Sequence, residues 1–141
     1  MKLFLTILSW IYGAVIFLRH RLYDWGIIKS YEFDIPVVCI GNIAVGGTGK
    51  TPMAEFVIRE LMATYTIALL SRGYGRTTMG FHEVLTTDSY ASVGDEPLQV
   101  KLKYPDAVVV VSEDRVAGIR RLREEHPEVN LIIMDDGFQH R

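Results

Sequence analysis

The first stretch of the chain is almost uniformly apolar. Between Leu3 and Leu18, 13 of 16 residues are hydrophobic and none is charged. At a rise of about 1.5 Å per residue, a helix of this stretch is shorter than the roughly 30 Å hydrocarbon layer of a bilayer. Its few small or polar residues, Thr6, Ser9 and Gly13, lie on one side of the predicted helix and leave a broad apolar face. The pattern favours a helix inserted into one leaflet over a helix that spans the bilayer.

Basic and aromatic residues follow this stretch directly. Arg19, His20 and Arg21 come first, and Trp25 is close behind. Cations and tryptophan beside an apolar helix suit the anionic cytoplasmic face of a membrane. A cleaved signal peptide is disfavoured because no small-residue cleavage site precedes the arginines, and a helix buried in a protein core is the other alternative. We therefore predict a membrane-associated segment over residues 1–34 and a globular part over residues 35–141.

Beyond residue 34, short β-branched runs alternate with stretches in which the apolar residues have helical spacing. This alternation is typical of an α/β fold, in which helices flank a mostly parallel sheet. The predicted strands cover residues 36–40, 65–70, 107–111 and 129–134, with a short edge strand over 82–86, and the predicted helices cover residues 51–62 and about 96–103.

A further helix is predicted after the third strand from its charge pattern. Ser112 is the expected N-cap, with Glu113 and Asp114 in the first turn. Arginines near the predicted C-terminal end complement the helix dipole. No helix follows the last predicted strand, which indicates that the sheet needs a further covering element.

Overall composition restricts the function classes. The 141 residues are 49% hydrophobic and 23% charged, which suits one packed domain. A formal net charge of −2 gives no sign of a nucleic-acid partner. The single cysteine, Cys39, excludes an intramolecular disulfide and a multi-cysteine zinc site.

A glycine-rich segment between the first predicted strand and helix has the order of residues of a Walker A motif. Its glycines allow successive N–H groups to point at phosphate oxygens, and the following helix N-terminus adds partial positive charge. Lys50 is expected to contact the terminal phosphates of ATP, and the Thr51 hydroxyl is expected to contact Mg²⁺. The predicted nucleotide-binding residues are Ala44, Val45, Gly46, Gly47, Thr48, Gly49, Lys50 and Thr51.

The last predicted strand ends in acidic residues, as a Walker B strand does. Four apolar residues precede Asp135, and Asp136, which follows it, is either a second acid near the metal or the start of a loop. A carboxylate at the carboxyl end of a neighbouring parallel strand is placed to hold Mg²⁺. His140 either orients a carboxylate or phosphate or belongs to a solvated loop. The globular part is thus predicted to be P-loop NTPase-like, preceded by a hydrophobic membrane-associated helix.

Four segments together resemble the tetraacyldisaccharide 4′-kinase family of lipid A biosynthesis. The resemblance covers the whole chain, and it rests on segments that occur in the same order. They are Gly41-Asn42-Ile43-Ala44-Val45-Gly46-Gly47-Thr48-Gly49-Lys50-Thr51-Pro52, Ser71-Arg72-Gly73-Tyr74-Gly75-Arg76, Gly94-Asp95-Glu96-Pro97 and Asp135-Asp136-Gly137-Phe138-Gln139-His140-Arg141.

The resemblance implies an enzyme that transfers the γ-phosphate of ATP to the 4′-hydroxyl of a tetraacyldisaccharide 1-phosphate, giving lipid IVA. It implies ATP and Mg²⁺, a lipid substrate, and a place at the cytoplasmic face of the inner membrane of a Gram-negative bacterium. Asp95 corresponds to the family's general base, although a helix cap is an alternative role for it. Glu96 is a possible assistant, and either Arg72 or Arg76 is expected to contact a phosphate unless both are solvated.

Length is the main departure from the family, whose members carry a second α/β lobe. We therefore expect this chain alone to bind MgATP weakly and to phosphorylate nothing. Two alternatives remain at this point: another membrane-tethered P-loop NTPase that drives a partner, and a non-catalytic nucleotide-binding fragment.

Overall fold

The N-terminal part of the chain forms one long helix. The computed structural model describes residues 2–27, 31–41 and 50–135. The chain divides into two compact units, one reaching Glu32 and the other beginning at Phe33. In the first unit, α1 runs over Lys2–Asp24, so it continues through the basic residues beyond the apolar stretch. Within the described ranges, we find no helix whose length and apolar character together suffice to cross a bilayer.

The second unit alternates strands and helices. The predicted strands and helices are confirmed, and their ends differ from the prediction by at most two residues except in the edge strand, which ends at Glu83, three residues earlier than predicted. Its elements are β1 (Val37–Ile40), α2 (Lys50–Leu61), β2 (Ile67–Ser71), β3 (His82–Glu83), α3 (Tyr90–Val93), α4 (Asp95–Lys103), β4 (Val108–Val111), α5 (Arg115–Glu125) and β5 (Leu131–Asp135).

The five described strands form one sheet in the order β1-β5-β2-β4-β3. The pairs β1–β5, β5–β2 and β2–β4 are parallel, and only the short edge strand β3 is antiparallel. The register sets Ile40 opposite Asp135 and Ser71 opposite Val111. The carboxyl ends of four strands therefore share one edge of the sheet, which confirms the mostly parallel α/β fold.

Helices cover both faces of the sheet and bury alternate strand residues against it. On one face, α2 and α4 pack Ile58 and Val100 against Leu69 and its neighbours. On the other face, α5 packs Ile119 and Leu122 onto the sheet. Because both faces are covered, the central strands are continuous apolar runs, as expected for a parallel sheet.

The start of α5 differs from the prediction. The N-cap is Asp114, whose carboxylate accepts a hydrogen bond from the N–H of Ala117. Ser112 is not the cap, because its hydroxyl donates to the carbonyl oxygen of Asp114. Glu113 and Asp114 consequently precede the helix and do not form its first turn. Asp114 competes well for the cap because its short carboxylate reaches the free N–H groups of the first turn.

A short helix, α3, was not predicted from the sequence. Ser89 caps it, and the hydroxyls of Ser89 and Ser92 form a reciprocal capping box. The usual capping box has Glu or Gln three residues after the N-cap, where this chain has Ser92, so the sequence gives only a weak signal for this helix. A helix of four residues is also too short to show hydrophobic periodicity.

A polar network joins α2 to α4. Glu55 of α2 is buried, accepts a hydrogen bond of 2.9 Å from Gln99, and forms an ion pair with Lys103. The Tyr104 hydroxyl donates to the carbonyl oxygen of Glu55. The hydrogen bond from Lys103 lowers the pKa of the Glu55 carboxyl, although its desolvation opposes this. The network fixes the spacing between α2, which follows the glycine-rich segment, and α4, which begins at Asp95.

We expect the free energy of unfolding to fall when the pH is lowered through the folded-state pKa of Glu55. The unfolded carboxyl has the ordinary value of 4.5, and the folded pKa lies below it, so the unfolded state takes up the proton first. The contribution is complete above the unfolded pKa and is lost as the pH falls below it. Chemical denaturation should show that the free energy of unfolding falls less between about pH 7 and pH 3 for Glu55→Gln than for the wild type. Glu60→Gln, at an exposed position of the same helix, serves as the control, and equal losses for the wild type and Glu55→Gln would contradict the expectation.

Candidate functional site

A cavity of about 430 Å³ opens at the carboxyl edge of the sheet. It brings together residues from three separate segments of the sequence, two of them at strand ends. Among the described residues, its lining comprises Ser71, Arg72, Tyr74, Asp95, Glu96, Pro97 and Asp135.

The strand order explains why Asp135 lies beside the end of β1. Strand β5 is inserted between β1 and β2, and Asp135 is the register partner of Ile40. Gly41 follows Ile40 and is the last described residue before the segment 42–49. The chain therefore leaves β1 at the sheet edge where Asp135 ends β5. Ligands of open α/β sheets bind at this edge.

Asp135 is held in a buried environment at the end of β5. The residue is only 7% exposed, although it lines the cavity. The guanidinium of Arg115, itself buried, donates to the carbonyl oxygen of Asp135 at 3.0 Å and to that of Ser112 at 2.7 Å. Arg115 thus fixes the carboxyl end of β5 to the loop after β4. This role of Arg115 could not be predicted from the sequence, because an arginine at the start of a helix gives no signal for a contact 20 positions away.

Asp95 and Glu96 lie in the first turn of α4, at the same cavity. The N-cap is Gly94, and it provides no side-chain cap. Asp95 is therefore not the N-cap, which removes the alternative role considered from the sequence. A carboxylate in the first turn interacts favourably with the helix dipole.

Two glycines allow the loop after β2 to pack closely against the start of α4. Gly73 has φ +68° and Gly94 has φ +94°, conformations that other residues adopt only with strain. A Cβ at Gly94 would lie 3.2 Å from the carbonyl oxygen of Tyr74, and one at Gly73 would lie 2.9 Å from that of Val93. This contact brings the loop that carries Arg72 next to Asp95.

Alanine substitutions in this loop test the close packing. Gly75→Ala carries only the cost of a positive φ, about 1–2 kcal/mol, because nothing lies within 4 Å of its Cβ position. At Gly73 the added Cβ would lie 2.5 Å from Cδ of Arg76 and 2.9 Å from the carbonyl oxygen of Val93. Gly73→Ala therefore also displaces the Arg76 side chain and the Val93 backbone and should lose about 1–3 kcal/mol more. The measurement is the free energy of unfolding in urea for both variants. Equal losses at the two positions would contradict the close approach of the loop to α4.

The two arginines of the loop have different surroundings. Arg72 is exposed at the cavity. Arg76 does not line it, since its side chain is 3% exposed and forms an ion pair with Glu113. Its guanidinium also donates to the Thr78 hydroxyl and to the carbonyl oxygen of Gly80. Arg76 thereby fastens the loop to the segment before α5, so Arg72 is the better placed of the two to meet a phosphate.

Glu113 completes this fastening. Its second carboxylate oxygen accepts the N–H of Gly80 at 2.9 Å. Partial desolvation raises the pKa of the Glu113 carboxyl, but backbone hydrogen bonds and Arg76 outweigh it and lower the pKa overall. The carboxylate therefore stays charged and paired at neutral pH.

Several predicted site residues lie outside the part that the structure describes. For Lys50 and Thr51, the structure gives the backbone, which begins α2. The predicted site residues that lie wholly outside the described ranges are Ala44, Val45, Gly46, Gly47, Thr48, Gly49, Asp136 and His140. Their predicted roles stay predictions.

The chemistry of the lining fits a divalent cation accompanying a phosphorylated ligand. Three carboxylates, from Asp95, Glu96 and Asp135, face the cavity with the guanidinium of Arg72. A lining with this acidic excess repels a polyphosphate unless a cation accompanies it. Carboxylate oxygens are the ligands that Mg²⁺ prefers, and the buried Asp135 is the best-held of them.

The fold and the site together define an α/β protein with a candidate ligand-binding cavity at the carboxyl edge of a mostly parallel sheet. The comparison with known families is more specific, since residues 1–141 match the family model described as LpxK, tetraacyldisaccharide-1-P 4′-kinase. The chain belongs to this family. The family resemblance inferred from the four sequence segments is thereby confirmed.

Individual relatives agree with the family assignment. The chain is 51% identical to a tetraacyldisaccharide 4′-kinase of Phocaeicola vulgatus over 135 residues, 94% of this chain and 37% of the relative. It is 50% identical to one of Bacteroides fragilis over 134 residues, 94% of this chain and 36% of the relative. The chain therefore spans little more than a third of the length of these two relatives.

A solved structure has the same fold. The crystal structure of LpxK from Aquifex aeolicus in complex with ATP superimposes with a TM-score of 0.81 and 36% sequence identity. The match covers 97% of this chain and 44% of that one. The sheet and its flanking helices thus correspond to a part of that enzyme.

Proposed function

We propose that this chain supplies the nucleotide-binding and base-bearing part of an ATP-dependent lipid kinase. The reaction moves the γ-phosphate of ATP to the 4′-hydroxyl of a tetraacyldisaccharide 1-phosphate, giving lipid IVA in lipid A biosynthesis. The observation that carries the proposal is the convergence of Asp95, Asp135 and Arg72 on one cavity at the end of β5. Family membership and the likeness to an ATP-bound relative support it.

The nucleotide is proposed to bind where β1 ends and α2 begins. Residues 44–51 would cup its terminal phosphates with backbone N–H groups, and Lys50 would contact the β- and γ-phosphates. The adjacency of Ile40 and Asp135 supports this, because it brings the start of that segment next to the acid that ends β5. Thr51, Asp135 and Asp136 are the proposed ligands of Mg²⁺, which when bound would neutralise phosphate charge.

Asp95 is proposed to act as the general base. Its carboxylate would accept the proton of the 4′-hydroxyl while that oxygen forms a bond to the γ-phosphorus. The bond from the γ-phosphorus to the bridging oxygen breaks, and ADP carries away the electron pair. Positioning and charge neutralisation dominate phosphoryl transfer, so the place of Asp95 in the cavity matters more than its basicity. Glu96 and His140 are proposed to assist, with Arg72 at a phosphate.

Membrane association is proposed for the N-terminal unit, with residues 1–34 as the membrane-associated segment and residues 35–141 as the nucleotide-binding lobe. In α1, Trp10, Tyr12 and Phe17 are 62–78% exposed. Arg19 and Arg21 lie over aromatic rings near its C-terminal end. A lipid acceptor leaves a bilayer at about 0.8 kcal/mol for each CH₂ exposed, so a kinase that acts on it must work at the membrane. We further propose that it acts at the cytoplasmic face of the inner membrane, as the family resemblance implies.

A labelling experiment tests the proposed function. The protein encoded by the complete reading frame that contains these residues is incubated with γ-³²P-ATP, Mg²⁺ and tetraacyldisaccharide 1-phosphate in detergent micelles. We expect the label on the lipid. Free phosphate released without acceptor would contradict the proposal in favour of an NTPase. Nucleotide binding with neither product would contradict it in favour of a non-catalytic nucleotide-binding protein.

A further inference from the structure

A second group of metal-ligating side chains lies outside the catalytic cavity. Glu83 of β3, Glu125 at the end of α5 and His126 each offer one ligand atom, and these atoms lie within 4.8 Å of one another. None of the three lines the cavity that holds Asp95 and Asp135. Strands β3 and β1 are at opposite edges of the sheet, and the proposed reaction assigns no role to these three residues.

The imidazole of His126 is held between two carboxylates. Its Nε2 is 3.2 Å from Glu83 and its Nδ1 is 3.1 Å from Glu128. The His126 side chain is 17% exposed, so its ring orientation is fixed by packing as well as by these contacts. A metal bound at Nε2, the nitrogen that faces Glu83, would leave the ring proton on Nδ1, where Glu128 would accept its hydrogen bond.

This arrangement matches the way proteins support a histidine ligand. A metal-bound histidine commonly donates its other ring N–H to a carboxylate, which fixes the tautomer and raises the basicity of the ligating nitrogen. Glu128 has that place here, on the far side of the ring from Glu83. The geometry thus includes a supporting carboxylate as well as three ligand atoms.

The charges of the group also favour a divalent cation. Glu83, Glu125 and Glu128 carry three negative charges, and Arg121, which bonds to one oxygen of Glu125 at 2.7 Å, carries one positive charge. A histidine that binds a metal is neutral, so in the metal-bound site the sum of these charges would be −2, which one divalent cation balances. Arg121 competes for Glu125, but it occupies one carboxylate oxygen at that distance and each carboxylate has two.

We propose that His126 Nε2, Glu83 and Glu125 form a zinc site, with Glu128 as the supporting carboxylate. One nitrogen and two carboxylate oxygens suit Zn²⁺, with water in the fourth position, better than they suit Mg²⁺. The site ties β3, which has two residues, to the end of α5. Its role is to hold this edge strand in the sheet.

Metal titration of the 141-residue chain, freed of metal with a chelating resin, tests the site. Co²⁺ replaces Zn²⁺ as the spectroscopic probe, because low-coordinate Co²⁺ with a nitrogen ligand absorbs visible light. We expect one equivalent of Co²⁺ to bind. Zn²⁺, but not Mg²⁺, should displace the Co²⁺ and raise the melting temperature of the protein. Glu128→Gln should weaken binding by about 10–100-fold.

Substitutions of the proposed ligands distinguish a metal site from a histidine that is only paired with glutamates. Glu83→Gln and Glu125→Gln preserve the size of the side chain. Each of them, and His126→Ala, should lower the affinity for Co²⁺ at least as much as Glu128→Gln does. Glu124→Gln, an exposed neighbour that is not in the group, should leave it unchanged. Failure to bind Co²⁺ or Zn²⁺ would overturn the proposal and leave His126 as an imidazolium paired with glutamates. Binding that persists in both glutamine variants of the ligands would overturn it too.

Discussion

Replacement of Asp95 by asparagine should lower the rate of phosphate transfer to the lipid by about 10²–10⁴-fold. The variant retains the shape and polarity of the side chain at the start of α4 but cannot take the proton of the acceptor hydroxyl. The KM for ATP should change little, because Asp95 is assigned to the acceptor and not to the nucleotide. Steady-state kinetics of the protein from the complete reading frame provide the measurement.

Glu96→Gln is the matched control for Asp95. Glu96 is the next residue of the same helical turn, lines the same cavity and loses the same charge on substitution. We expect its effect on kcat to be less than about tenfold, well below the range for loss of a general base. Comparable losses in the two variants would show that the charge of the lining matters and that no proton is transferred to Asp95.

Replacement of Asp135 by asparagine should reduce turnover by at least about 10²-fold. A metal ion at a transferring phosphate supplies several kcal/mol of charge stabilisation, and about 3 kcal/mol corresponds to this factor. Asp135 is buried beside the end of β1, so its carboxylate is held in place next to the start of the glycine-rich segment. Turnover should recover in part at high Mg²⁺ concentration, since an amide oxygen is a weaker ligand than a carboxylate.

Asp106→Asn provides the control for Asp135. Asp106 is exposed and lies before β4, at the amino edge of the sheet, so the same change of charge occurs away from the site. Its turnover and Mg²⁺ dependence should equal those of the wild type. If Asp135→Asn showed unchanged Mg²⁺ dependence and the same turnover as this control, the assignment of Asp135 to the metal would be wrong.

Much of the fold could be predicted because its core strands are short and uniformly apolar. The runs that became β4 and β5 are β-branched and buried on both faces, and each is flanked by turn residues. The order of the strands could not be predicted in this way. The insertion of β5 between β1 and β2 depends on contacts between segments far apart in the sequence.

The residues that line the candidate site could be predicted from the sequence, but the contacts that hold them in position could not. Asp95, Arg72 and Asp135 were identified from short segments, and the structure brings them to one cavity. Arg115, which holds the end of β5, and the Gly73–Gly94 contact act between segments 20 or more positions apart. Such contacts leave no pattern in the local sequence. For the same reason, only the structure distinguishes Arg72, which lies at the cavity, from Arg76, which is paired with Glu113.

The proposed binding of the terminal phosphates of ATP, by residues 44–51 and by Mg²⁺ at Asp135, can be measured as the nucleotide affinity of the 141-residue chain. Isothermal titration calorimetry with Mg²⁺ present compares ATP with AMP, which lacks those phosphates. We expect ATP to bind at least about tenfold more tightly than AMP, a difference of about 1.4 kcal/mol, and both Lys50→Ala and Asp135→Asn to abolish this difference. Equal affinities for ATP and AMP, or a preference for ATP that survives both substitutions, would contradict the proposal.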